Sequence, residues 1–312
     1  MTKAYVKIFY VLVFIFTFFV FLLFTFPFEI LKETVSKKLS EVSGMSISME
    51  SLEPNLPIGV SVEKLQVVTT HGAKLAFEEI DFEVGILPLF VGDISLSLTI
   101  NNGKKGDLEV EASIPFMGVI GGQPFPSYVA LNSQKFSFTE LVSFALNSYA
   151  NSPTVNPLLG PMLSQLELKG ALDSNVSIEL DADDPKNSDG KANIQFRGMS
   201  FVSKDAALDL PEQKFKVAQL VANMSGGKFE FDPKSKLQSD QLGLGISGSI
   251  LFKNPIDRSE LNLNVPLNMS GKIKENFGSL LEMLVLKVDS WDGNASFQIE
   301  GKLMSPKWQP VL

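Results

Sequence analysis

The sequence contains no cysteine and a single histidine, His71. Counting alone therefore excludes thiol nucleophiles, CxxC redox pairs, disulfide frameworks and Cys/His zinc sites. It also lacks a G-x-S-x-G elbow, a P-loop and an H-E-x-x-H motif. Gly243-Leu244-Gly245-Ile246-Ser247-Gly248 fits G-x-G-x-x-G in letters. It sits in strand-like alternation with no helix after it, so it reads as glycines in a curving sheet. Bases are scarce: from Glu29 onward 25 Lys and Arg face 35 Asp and Glu, a net charge of −10. That balance argues against nucleic acid or anionic lipid headgroups as main partners.

The few remaining chemical candidates have plainer readings. His71 lies in Thr69-Thr70-His71-Gly72 between two strand patterns, and with no strained serine motif to serve it reads as a turn residue in solvent. Asp181, Asp183, Asp184 and Asp189 cluster, but not in the order of a calcium-binding EF-hand loop, so a solvated acidic turn is expected. Four N-x-S/T triplets, at Asn175, Asn223, Asn268 and Asn294, are explained by an Asn- and Ser-rich composition. No enzyme, cofactor or metal site is expected from this inventory.

What the chain does have is one long apolar run. Ile8 to Phe28 is 21 residues without a charge, and nine of the protein's 25 Phe fall between Phe9 and Phe28. At about 1.5 Å per residue such a helix spans a hydrocarbon core of roughly 30 Å. A cleaved signal has a shorter apolar region and a small-residue cleavage site, whereas no alanine occurs between Ala4 and Ala73. Residues 1–28 are therefore read as a cytoplasmic tail and a transmembrane anchor with ends at Ile8 and Phe28. Lys3 and Lys7 before the run are offset by Lys32, Lys37 and Lys38 after it, so the positive-inside rule does not orient it. A seven-residue tail ahead of a large cysteine-free domain suggests that the N-terminus is cytoplasmic.

After the anchor, Leu31, Val35, Leu39 and Val42 recur at helical spacing and Gly44 follows, which predicts a juxtamembrane amphipathic helix over 29–44; its narrow stripe and mixed charges favour a cap on the β domain over a helix lying along the bilayer surface. From Met45 the dominant period is two. In the clearest unit Ile94, Leu96, Leu98 and Ile100 alternate with polar residues, a glycine-rich turn follows, and Leu108, Val110, Ala112 and Ile114 alternate again. This predicts a hairpin with one wet and one dry face. Similar runs include Val60/Val62, Phe82/Val84, Leu166/Leu168, Val176/Ile178/Leu180, Leu244/Ile246, Leu261 to Leu267 and Ala295/Phe297/Ile299. Helices are expected at Thr139–Ala150, with Thr139 as N-cap, and at Lys272–Val288. The Pro-rich segment 151–161 is taken as a connection between β-rich halves at 45–150 and 162–312. Two hairpins of the second half echo each other: a [DN]-P turn, then Ser188 in one and Ser259 in the other.

The fold class expected is thus mainly β: an N-terminal transmembrane helix, then an elongated, curved antiparallel sheet with a few short helices. So many alternating strands with so few helices to cover them must close as a sandwich or leave an apolar groove. Ile94, Leu96, Leu98, Val110 and Ile114 are the candidate groove wall, and lipid acyl chains the candidate occupant.

The order of elements, with Leu39-Ser-Glu-Val-Ser-Gly-Met-Ser-Ile-Ser-Met-Glu-Ser-Leu52, Pro57-Ile-Gly-Val-Ser-Val-Glu-Lys-Leu-Gln-Val67, Gln165-Leu-Glu-Leu-Lys-Gly170, Gly190-Lys-Ala-Asn-Ile-Gln-Phe196 and Phe297-Gln-Ile-Glu-Gly-Lys-Leu-Met-Ser-Pro306, resembles type II secretion system protein N. The likeness is to its longer form in Bdellovibrio-like and Myxococcus-like bacteria. The chain is also similar to the wider AsmA-like group, with repeats of strand, glycine, strand, proline. The first resemblance implies a single-pass inner-membrane accessory or scaffolding subunit of a Gram-negative protein-export machine, with a periplasmic β domain and other secretion subunits as partners. The second implies an envelope lipid-binding or lipid-transfer protein. Neither supplies a catalytic or binding motif.

Overall fold

The computed structural model describes residues 28–55, 58–85, 92–121, 125–151, 159–181, 184–204, 210–253, 256–282 and 291–311, with Phe14 and Pro88 singly. The predicted anchor therefore lies outside the described residues apart from Phe14 and Phe28. Among the described residues no helix is long and apolar enough to cross a membrane.

The protein is mainly antiparallel β with few helices. The first half contributes β1 (Ser46–Ser48), β2 (Ser51–Asn55), β3 (Gly59–Val68), β4 (Lys74–Gly85), β5 (Asp93–Asn101), β6 (Asp107–Pro115) and β7 (Tyr128–Ser137). Then come β8 (Leu166–Glu179), β9 (Asp189–Ser203), β10 (Gln213–Lys214), β11 (Val217–Ser225), β12 (Lys228–Phe231) and β13 (Lys236–Gln238). The last are β14 (Leu242–Gly245), β15 (Ser247–Leu251), β16 (Glu260–Met269), β17 (Asn294–Lys302) and β18 (Ser305–Val311). All 18 belong to one sheet. Four lanes are each broken in two: β1 and β2 both pair with β3, β10 and β11 with β9, β12 and β13 with β11, and β14 and β15 with β16. Every other strand pairs with its neighbours in sequence, so the sheet is an antiparallel meander of fourteen lanes. Because β7 pairs with β8, segment 151–161 interrupts the chain but not the sheet, and the two expected halves are continuous. Among the described residues β1 and β2 have a pairing register only with β3, and β18 only with β17.

Alternating direction gives the sheet two ends. At the near end lie the turns around 55–59, 85–93, 115–128, 179–189, 225–228, 251–260 and 302–305; at the far end lie those around 68–74, 101–107, 137–166 and 269–294. Helix α1 (Phe28–Ser43) joins β1 at the far end and runs back along the outer lane. The Ser40 hydroxyl accepts from the Ile47 amide at 2.9 Å and Lys32 Nζ donates to the Glu50 carbonyl at 3.1 Å. Its N-terminus therefore points to the near end. Leu31 and Val35 are half-buried there, whereas Leu39 and Val42 are exposed, so only half of the predicted stripe is used for capping. Helix α2 (Phe116–Ile120) sits at the near end. The far end holds α3 (Thr139–Ala150), α4 (Leu159–Ser164) and α5 (Gly271–Leu281). The N-cap of α3 is Phe138, with no side-chain cap; the Thr139 hydroxyl instead accepts from the Gly170 amide at 3.2 Å.

The Ser188/Ser259 echo corresponds to a shared device. Each hydroxyl is buried and takes the amide of the strand end it faces: Asp181 N at 2.9 Å and Lys253 N at 3.1 Å. A third case, Ser235 after Asp232-Pro233, takes Val221 N at 2.9 Å. A buried unpaired N–H is costly, and in each case the serine hydroxyl supplies the acceptor.

Candidate functional site

Directly paired residues of an antiparallel sheet share a face. Following the pairing from one edge to the other gives Pro54, Val60, Phe82, Leu98, Val110, Leu131, Val176, Ala192, Ala222, Phe231, Gly248, Leu263, Ile299 and Trp308. One residue per lane, this row crosses the whole sheet without a polar side chain. The row beside it, on the opposite face, runs Ser61, Asp81, Thr99, Glu109, Asn132, Asn175 and Asn193.

The five predicted wall residues fall together on the apolar face. Ile94 pairs with Ile114 and Leu98 with Val110, while Leu96 lies between Val84 and Ala112. All five are half-buried, and neighbouring Phe82 is exposed. A sandwich core would bury them fully; here the middle of the face remains accessible.

The far end of that face is covered. Leu75, Phe77, Ile100 and the almost fully buried Phe136 form a cluster under Leu141 and Phe144 of α3. A second cluster, Leu267, Met269, Ile273, Trp291 and Ala295, gathers under α5 with Phe277 and Leu281. Towards the near end of the later lanes Phe125 closes over Leu180, Ala192, Met224 and Phe229.

Reaching those clusters requires local breaks in alternation. In β3 and β4 neither Lys64 nor Glu78 joins the ladder, and past them the apolar positions change from even numbers (Val60, Val62; Ile80, Phe82) to odd (Leu65, Val67; Leu75, Phe77). Lys64 has φ +48°, and the buried Asn102 side chain accepts from Glu78 N at 3.3 Å in place of a strand partner. Lys135, at φ +51°, marks a register shift between Ser133 and Phe136, its amide held by Asp173 Oδ1 at 2.7 Å. Such bulges bend the strand and re-aim its side chains, here turning Phe136 into the cluster.

Charged groups play a structural part. Glu50, 2.6 Å from Lys64 Nζ, raises that ammonium above its ordinary pKa through a hydrogen bond and charge attraction. Asp292 is lowered by the Asn294 amide, which donates to it at 2.7 Å, and by the Asn294 side chain. The Asp181 carboxylate is used within its own turn, accepting from Asp184 N at 2.9 Å and Asn187 Nδ2 at 3.1 Å. His71 is exposed in the turn after β3. Among the described residues no group of three or more His, Asp or Glu is placed to hold a metal ion. Gly243 and Gly245 lie in β14, and Gly248, at φ +103°, in β15; the break at Ile246 falls between them.

Set against family models, curated proteins and solved structures, the chain matches none. Its apolar face is what remains to argue from. Sequence reasoning found the β5/β6 part of that face but missed Phe136, which follows a bulge that breaks the two-residue period, and Phe125, which lies outside any strand.

Proposed function

We propose that this chain is a membrane-tethered envelope protein that shelters acyl chains on the open apolar face of its sheet. The observation that carries the reading is the apolar row from Pro54 to Trp308, unbroken by any polar side chain and accessible over its first seven lanes, where Val60, Leu98, Val110, Leu131 and Val176 are half-buried and Phe82 is exposed. A continuous apolar surface of this size in a water-facing domain marks a binding surface, and the lack of polar anchors along it suits an acyl chain better than a polar ligand. The uncharged run Ile8–Phe28 tethers the domain to the inner membrane, with the N-terminus cytoplasmic and the sheet periplasmic.

A second reading, an accessory subunit of type II secretion, is favoured by the edge strand β18. That strand is exposed along most of its length, Trp308 and Val311 included, and a free edge can accept a strand from a partner subunit. Pro306 and Pro310 limit how many bonds it can donate.

The test is photo-crosslinking of the full chain in membranes with a phospholipid carrying a diazirine on its acyl chain. Adducts on Leu98, Val110, Leu131 or Val176, lost in Leu98→Asp, are the expected result. Adducts confined to residues 8–28, with secreted enzymes retained in the periplasm when the gene is deleted, would overturn it for the secretion reading.

A further inference from the structure

The near end of the first half gathers exposed apolar side chains. Ile58, Phe116, Met117, Val119 and Ile120 are all exposed there, Met117 at 74% and Ile120 at 65%. Three successive turns carry them or support them. The Ile58 carbonyl accepts from Val84 N at 2.8 Å, and the Gly92 carbonyl accepts from Phe116 N at 2.8 Å, so the turns of lanes one to six form one ledge. The sequence around them has no charge from Pro54 to Val62, from Val84 to Gly92, or from Ala112 to Gln134. The near-end turns of the second half also expose Leu251 and Met304, but singly and among charges: Asp181, Asp184, Lys186, Lys253, Asp257, Arg258 and Lys302.

The course of α1 says what covers this ledge. Helix α1 runs antiparallel to β1 and β2, and from Ser40 back to Phe28 it travels roughly 18 Å. From Ile47, which Ser40 holds, to Asn55 at the near-end turn the strand travels roughly 26 Å. The uncharged run that ends at Phe28 therefore arrives within about 10 Å of the level of the ledge. Ile30, in the first turn of α1, is 64% exposed.

We infer that the ledge Ile58–Phe116–Met117–Val119–Ile120 rests in the surface of the same bilayer that holds the N-terminal run, opening the apolar face of the sheet towards the lipid. The inference rests on the anchor reading above and goes beyond it by fixing the orientation of the domain. Strands then stand away from the membrane, and α3 and α5 close the distal end. Without basic residues at the ledge, its contact is apolar and independent of salt.

The absence of cysteine makes the test clean. The full chain is reconstituted in phosphatidylcholine vesicles with a single environment-sensitive fluorophore at Met117→Cys, at Tyr149→Cys on the distal α3, or at Phe16→Cys in the N-terminal run. Quenchers on the lipid acyl chains report insertion. The expected result is quenching at positions 16 and 117 and none at 149, unchanged at high salt. Quenching at 16 with a water-exposed probe at 117 overturns the ledge while leaving the anchor, and is the outcome a protein-docking surface would give. No quenching at 16 overturns both.

Discussion

Replacing Leu96 by Asp places a carboxylate in the middle of the apolar face, and its cost separates an open face from a closed core. Leu96 is half-buried between Val84 and Ala112. Full burial of a leucine side chain contributes about 1.5–3 kcal/mol, so half of it is about 1 kcal/mol. The carboxylate reaches water and stays ionised, which avoids the several kcal/mol of an unpaired buried charge. Phe136→Ala is the internal standard. Phe136 is 1% exposed and packs with Leu75, Phe77, Ile100 and α3, and emptying such a site costs about 3–5 kcal/mol. At about 2–4 °C per kcal/mol for a large domain, Leu96→Asp lowers Tm by about 2–4 °C and Phe136→Ala by about 6–20 °C. Thermal melts of the full chain in detergent, followed by the β-sheet circular dichroism signal, read both. If Leu96→Asp unfolds as early as Phe136→Ala, the face is a closed core and the reasoning fails.

Ser259→Ala orphans the buried Lys253 amide; a loss of about 1–3 kcal/mol is expected in a urea titration, with Ser259→Thr recovering part of it. Gly106 has φ +83° and an added Cβ would lie 2.3 Å from the Lys135 carbonyl oxygen, so Gly106→Ala lowers Tm by several degrees, whereas Gly198→Ala, with open space around it, costs only its φ strain of about 1 kcal/mol. The folded pKa of Asp292 is depressed by Asn294, so its contribution is present above the unfolded value of about 3.9 and is lost as pH falls through the lower folded value. Melts of the parent and of Asp292→Asn should therefore converge in acid and separate above that window, and a constant gap at all pH would refute the pairing.

The amino-acid order by itself determined the fold class. Strict alternation at Ile94–Ile100 and Leu108–Ile114, and again at Leu261–Leu267, leaves each segment one apolar face, and only pairing into a sheet satisfies both that face and the backbone. It also located α3, fixed the 94–114 hairpin, and placed the wall residues on one side. It did not disclose β7, β11 or β18, because the bulge at Lys135, the apolar residues on both faces of β11 and the prolines of β18 obscure the two-residue period. Nor could local pattern say that segment 151–161 leaves the sheet whole, since the pairing of β7 with β8 joins residues far apart in sequence. The tertiary structure alone decided that fourteen lanes align their apolar residues in a single row, which depends on register accumulated across thirteen pairings. It alone brought Phe28 to within about 10 Å of the level of the exposed Phe116–Ile120 ledge, because that juxtaposition is set by α1 folding back on the outer lane through Ser40 and Lys32, contacts that no sequence period encodes.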